Sequence, residues 1–308
     1  NPSYQAQLEL LKAKEQTPKK LGSLPAPNIG LRLNGLPAKN NNYSVDQKRY
    51  FINQMIPFWG TLGRKHQLGE IELHLAKVNM ELTKNKITLM VQKIYFELIL
   101  NQRLTEITQK NSQILENIIN IADIKYQSGK ILQANVLKAK VSKGLLDEQL
   151  LNLSHQKVKL TESLKKWLGV PLTETINISL SYPEAELAVI SSVTPEIASK
   201  TLKVQKATLK KTMSDQKLTI ERDRYLPQFM VQLEAWDNSG LENQYGGHLS
   251  MSVPWFNGKN DASVKEAEAL DRSIEFQKET SINDLSQQLT TWLSELKTTQ
   301  ETLKLYET

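Results

Sequence analysis

The sequence predicts a mainly α-helical chain with a small β part, in which long antiparallel coiled-coil hairpins carry four β-strands and the whole plan is written twice. Three observations predict it. No proline occurs between Pro57 and Pro171, and after Gly69 the next glycine is Gly129, so nothing breaks a helix over that stretch. Within it the apolar residues step alternately by four and three: Ile71, Leu75, Val78 and Leu82, then Ile87, Val91, Ile94 and Leu98, then Ile114, Ile118 and Ile121. That is the seam of a coiled coil. Finally, the proline-punctuated segments on either side of the first strand pair return roughly 200 residues later, at an offset of 200 from Pro27 to Pro227 and of 197 from Pro57 to Pro254.

In chain order, Pro2 to Lys20 reads as a helix opened by Asn1-Pro2, and Gly22-Ser23-Leu24-Pro25-Ala26-Pro27 stops it. Ile29, Leu31 and Leu33 alternate with Gly30, Arg32 and Asn34 as a strand does. Leu36 to Asn42 is a loop tip, and a second strand returns from about Lys48 to Ile56. Its Phe51 and Met55 lie on one face, and Tyr50, Ile52 and Ile56 on the other. Pro57-Phe58-Trp59-Gly60 ends the hairpin and launches the long helix, which at ~1.5 Å per residue reaches ~100 Å by Lys125. The chain turns at Tyr126-Gln127-Ser128-Gly129-Lys130 and comes back to Leu168 on a seam of Leu146, Leu150, Leu153, Leu160 and Leu164.

Gly169-Val170-Pro171 ends the returning arm, and an irregular connector runs to Val193. Thr194-Pro195-Glu196 caps a helix to about Arg224. Phe229, Val231, Leu233 and Ala235 then alternate with Met230, Gln232, Glu234 and Trp236, and Leu249, Met251 and Val253 with His248, Ser250 and Ser252. Pro254-Trp255-Phe256-Asn257-Gly258 matches Pro57-Phe58-Trp59-Gly60, and a second polar helix departs through Val264, Ala267 and Leu270. Helix, hairpin and long helix therefore occur twice. Gly129 lies 69 residues after Gly60, so a second turn is expected near ~327, with a returning helix of roughly forty residues. Thr308 falls short of that turn, which predicts a piece of a longer product.

Composition agrees with narrow seams and not with one large core: of 308 residues, 39% are hydrophobic and only 6% aromatic. There is no cysteine, hence no disulfide framework and no thiolate metal site. A net charge of +6 comes from lysines scattered among glutamates and glutamines on helix surfaces, the pattern of a solvated face and not of a nucleic-acid patch. No run approaches the ~18 apolar residues of a membrane helix, so any contact with a bilayer has to be made by strands.

Each strand spans about eight to ten residues, close to the ~9 to 11 that a tilted strand needs to cross a bilayer. Four strands cannot close a barrel, and open edges cannot face lipid because their backbone groups would have no partners. Several copies would have to pool strands: two give eight, a number that fills with side chains, whereas three give twelve and leave a bore. A half-buried hairpin of a soluble domain would alternate in the same way. The rods argue for the barrel, since no large apolar helix face is left to cover a soluble sheet.

Across nearly its whole length the sequence resembles the TolC-like outer-membrane efflux proteins. The segments that carry the resemblance are Asn1-Pro2, Leu24-Pro25-Ala26-Pro27, Asn34-Gly35-Leu36-Pro37 and Gln54 to Leu62. They continue in Tyr126 to Gly129 with Ala134-Asn135-Val136-Leu137, in Leu168-Gly169-Val170-Pro171, and in Ser252 to Gly258. Singly weak, they are specific in this order and spacing. The proline-containing first hairpin looks closest to the heavy-metal branch, copper/silver or cobalt-zinc-cadmium.

The resemblance implies a homotrimer in outer-membrane lipid of a Gram-negative bacterium, with a shared twelve-stranded barrel and a helical periplasmic tunnel. It also implies docking onto a periplasmic adaptor and an inner-membrane pump, with heavy-metal cations or drugs as cargo. On it, residues 1–24 are the helix of repeat 1, 25–58 the first barrel hairpin, and 59–168 the helical hairpin with its tip near 126–130. Residues 169–193 are an equatorial connector, 194–225 the helix of repeat 2, 226–256 the second barrel hairpin, and 257–308 the second long helix. The tip motif falls on Lys125, Tyr126, Gly129 and Lys130. The family more often has arginine at the position of Lys125, so the charge is kept and the fork geometry lost. Gate residues would belong to the second turn, beyond Thr308.

Pro57, Trp59, Gly60, Pro254, Trp255 and Gly258 mark the two barrel-to-helix junctions, where Trp59, Trp255, Phe58 and Phe256 read either as core or as an interfacial belt. The four histidines, His66, His74, His155 and His248, are too dispersed for a shared metal site, with His155 expected opposite roughly Leu100. There is no phosphate loop, nucleophile elbow or histidine-carboxylate pair at ligand spacing, so neither an enzyme nor a cofactor is expected. The rival reading is a soluble coiled-coil periplasmic adaptor or scaffold, though such an adaptor would surround one hairpin with a lipoyl-like sandwich and a barrel of short strands.

Overall fold

Proline and glycine set the element boundaries seen in the computed structural model, which describes residues 1–34, 47–176, 178, 201–238, 242–256 and 258–307. The helices are α1 (Pro2–Glu15), α2 (Thr17–Gly22), α3 (Thr61–Gln127), α4 (Gln133–Leu168), α5 (Leu202–Arg222) and α6 (Gly258–Glu307). The strands are β1 (Asn28–Asn34), β2 (Gln47–Ile56), β3 (Phe229–Asn238) and β4 (Gln244–Met251). The chain divides into two compact units, one of Asn1–Ala6 and Leu82–Val189, the other of Gln7–Glu81 and Ile190–Thr308.

The first unit holds the helical hairpin. α3 ends in a Schellman cap: Gly129, at φ +71°, donates to the Tyr126 carbonyl at 2.9 Å, and the Lys130 amide donates to the Lys125 carbonyl at 2.8 Å. α4 ends at Gly169, also left-handed at φ +79°, where a side chain would collide with the backbone of Asn1. Asn1 is tied down there by its side-chain amide, which donates to the Trp167 carbonyl at 2.7 Å. The core is Ile94, Leu98, Leu160 and Leu164, with Val91 and Trp167 packed against it.

The expected seam is only partly the packed one. Its inner line continues as Ile94, Leu98, Asn101, Thr108, Ser112 and Ile119, all buried, whereas Ile114, Ile118 and Ile121 are exposed. Asn101 and Ser112 are tolerated in the seam because they are hydrogen-bonded: Asn101 Nδ2 donates to the Leu153 carbonyl at 3.1 Å, and Ser112 Oγ to Asp147 Oδ1 at 3.2 Å. The apolar residues there form a second four-three line, one residue out of phase. Leu100, Leu104, Ile107, Ile114, Ile118 and Ile121 all lie on it and are exposed. Leu137, Val141, Leu151 and Val158 make the corresponding exposed line on α4.

The second unit holds the sheet, in the order β1-β2-β3-β4, antiparallel throughout. The two hairpins thus join through β2 and β3, with Met55 opposite Met230, leaving β1 and β4 as edges. α5 packs along α6, where Lys211 binds both oxygens of Asp271 at 2.9 Å. The first turn of α3 is held to the end of α5 by Arg64, which pairs with Asp223 at 2.6 Å.

Two helix boundaries differ from the expected ones. The first helix does not run unbroken to Lys20 but stops at Glu15 and restarts at Thr17, because Pro18 cannot donate to the turn before it. Pro18 is buried on Gly69 of α3, whose missing side chain admits the proline backbone: a Cβ there would lie 2.5 Å from Pro18 Cα. α5 ends at Arg222 and a 3₁₀ turn, Asp223–Tyr225, follows. The expected loop tip at 36–42, the connector beyond Ile178 and the Thr194 cap lie outside the described residues; the described cap of α5 is Thr201, which accepts from the Val204 amide.

Candidate functional site

Strand alternation and register together sort the sheet into two unlike faces. One carries Ile29, Leu31, Tyr50, Ile52, Ile56, Val231, Leu233, Tyr245, Leu249 and Met251, every one of them exposed. The band is bounded lengthwise. Tyr50, Ala235 and Tyr245 lie in one cross-strand row, and just beyond it Lys48 faces Asp237 at 4.0 Å.

The opposite face is polar and crosslinked. Asn28 donates to Asn53 at 3.2 Å, Asn34 to Gln47 at 3.0 Å and Gln232 to Glu234 at 3.2 Å. Arg49 approaches Glu234 to 3.6 Å across the seam between the two hairpins, and its guanidinium lies 5.1 Å from the Trp236 ring centre. The Phe51 ring covers Gly30 directly opposite it, and the Trp236 ring covers Gly246 diagonally, so any side chain at either glycine would strike the ring. Aromatic cover of a strand glycine stiffens a sheet that small residues would otherwise weaken.

At the junctions, Pro57 to Gly60 makes a tight turn in which the Thr61 amide donates to the Phe58 carbonyl at 3.1 Å, and Gly60 adopts φ +83°. The second junction is built differently: Pro254–Phe256 is a 3₁₀ turn and Gly258 opens α6 without a left-handed φ. Trp59 is 78% exposed and Trp255 60%, so neither is a core residue of the chain by itself. The Trp59 ring meets Phe58 edge-on and Phe229 at a tilt, with ring centres 5.4 and 5.7 Å apart, and the Trp255 indole donates to the Tyr225 carbonyl at 3.2 Å.

At the tip, Lys125, Tyr126, Gly129 and Lys130 are gathered on one exposed turn by the Schellman cap. Neighbouring Ile124 and Leu132 are exposed too, and Lys140 pairs with Asp123 at 3.2 Å. The sequence places Tyr50 on the face of Ile52 and Ile56 and counts Ile114, Ile118 and Ile121 in the seam, but it does not show the Tyr50/Tyr245 row, the Arg49–Glu234–Trp236 group or the second helical line as units, because each depends on pairing between segments.

A scan against protein-family models finds no match, and neither does a search of curated protein sequences. Solved structures do match. A membrane protein from Pseudomonas aeruginosa superposes with a TM-score of 0.83 at 15% identity, over 99% of this chain and 75% of that one. CusC, described by its transmembrane channel formation, gives 0.80 at 12% identity over 99% and 75%. The fold is that of the TolC-like outer-membrane channels. The open-state MtrE outer-membrane channel of Neisseria gonorrhoeae agrees, at 0.81 and 12% identity over 99% and 72%.

Proposed function

We propose that this chain is a subunit of a trimeric outer-membrane channel, a passive conduit of a tripartite efflux system. Three copies would pool four strands each into a twelve-stranded barrel, the apolar faces against lipid and the polar faces around water. The observation that carries this reading is the sheet: an apolar face whose large side chains are exposed, a reverse face of amides with the Arg49–Glu234 ion pair, and two edge strands, β1 and β4, that pair on one side only among the described residues. Each exposed aliphatic side chain of that face gains about 1 to 2 kcal/mol on leaving water, and each edge has the partner it needs in a neighbouring copy.

Trp59 and Trp255 at one end of the apolar band and Tyr50 and Tyr245 at the other act as interfacial girdles. The outer lines of α3 and α4 pack on neighbouring hairpins, giving each rod two seams, as a closed ring of helices requires. Lys125, Tyr126, Gly129 and Lys130 contact a periplasmic adaptor, which links the channel to an inner-membrane pump. The cargo is a heavy-metal cation or a drug.

Extraction and reconstitution test this reading. Protein carrying this chain is expected to need detergent, to run as a trimer, and to conduct ions in planar bilayers. A monomer soluble without detergent refutes the channel and favours the scaffold reading.

A further inference from the structure

The polar face of the sheet is unbalanced in charge. Among the described strand residues it bears three charged side chains, Arg32, Arg49 and Glu234. Arg49 is taken up by Glu234 at 3.6 Å and by the Trp236 ring. Arg32 stands directly opposite Arg49 in the β1–β2 register, and among the described residues it has no ion pair. Like charges placed opposite each other destabilise an antiparallel pair, so the arrangement works against the sheet's own stability. Two more donors of the same row, Arg49 Nε and the Trp236 indole, are buried without an acceptor among the described residues. The row is rich in donors and cations and poor in acceptors.

We infer that Arg32 makes the barrel bore prefer anions over small cations. The inference rests on the proposed channel, because only a closed barrel turns this face into the wall of a pore. Three copies then present three unneutralised guanidinium groups at one level, a charged ring of the kind that sets ion preference. A twelve-stranded wall with arginines reaching inward holds them about 10 Å from the axis. In water at about 0.01 M salt, with a Debye length of about 30 Å, such a ring enriches a monovalent anion on the axis about fourfold. At 1 M, with a Debye length of about 3 Å, the enrichment disappears. A solute crossing the barrel therefore meets a field that favours anionic or neutral molecules over free hydrated metal cations.

The test is the chloride-to-potassium permeability ratio of the trimer in planar bilayers, taken from reversal potentials in low-salt KCl gradients. At about 0.01 M salt Arg32→Gln should lower the ratio about sixteenfold, because a fourfold anion enrichment and an equal cation depletion are lost together; Arg32→Glu should lower it further, and both differences should vanish near 1 M salt. Lys48→Gln, which removes a cation from the lipid-facing rim, should leave it unchanged. Open channels whose ratio is the same in Arg32→Glu and in the unaltered protein overturn the inference while leaving the channel intact. Protein that inserts no channels at all overturns the reading beneath it.

Discussion

The two seams of the helical hairpin make opposite predictions for two similar substitutions. Leu98 is 2% exposed, wedged among Ile94, Leu160 and Leu164, whereas Ile118 is 48% exposed on the outer line. Leu98→Ala removes roughly three methylene equivalents at ~0.8 kcal/mol each and leaves a cavity, a loss of about 3 to 4 kcal/mol in the folded chain. Ile118→Ala removes a side chain already half in water. About 1 kcal/mol of transfer free energy is lost there, and alanine's better helix propensity returns about 0.4. In an assembled ring the order changes, because Ile118 is then buried and each interface loses about 3 kcal/mol, a factor of ~10² in association. Urea titration of the 308-residue chain, followed by circular dichroism, reads the first quantity. The temperature at which the detergent-purified trimer dissociates reads the second. Equal destabilisation of the chain by both substitutions, or an Ile118→Ala trimer as heat-resistant as the parent, would refute the two-seam account.

Gly129→Ala and Gly169→Ala impose the same left-handed strain on unlike surroundings. The first meets open space and should cost about 1 kcal/mol, while the second also strikes Asn1 Cα at 2.7 Å and should cost about 3, as thermal melts would show. Burial raises the Asp271 carboxyl, but hydrogen bonds from Lys211 and Ser214 outweigh it and hold the group below its ordinary value. The stability it contributes is therefore complete above the unfolded pKa of ~3.9 and is lost as pH falls through the lower folded value. Lys211, held above its ordinary value by hydrogen bonds to Asp215 and Asp271, contributes below ~10.4 and loses this as pH rises through its folded value. Lys211→Met should remove about 2 kcal/mol between those limits and flatten the acid limb of the melting temperature below about pH 4. At the tip, Lys125→Glu with Lys130→Glu should abolish adaptor binding in a pull-down, with trimer yield unchanged. Loss of the trimer as well would assign those lysines to assembly.

How much was legible in the sequence depends on where each instruction is local. The Gly129 cap, the proline-bounded strands and the four-three stepping of Leu153, Leu160 and Leu164 are set by residues within one or two turns of each other. Backbone sterics and side-chain period act at that range, and they could be read without coordinates. Pro18 was equally local and was passed over beside a longer apolar pattern. It decides the break between α1 and α2, and its seat explains a glycine inside α3.

The tertiary structure alone decided which of two parallel lines on α3 is buried. Both repeat with the same period, and only the partner helix chooses between Ile119 and Ile118. It also decided that the hairpins join through β2 and β3, since strand order depends on pairings nearly two hundred residues apart, with Tyr50 opposite Ala235 and Arg49 beside Glu234. Periodicity is a property of one segment, whereas burial and charge balance belong to pairs of segments. A chain can therefore announce its helices, strands and turns by itself, but the faces those elements keep from water emerge only when they meet.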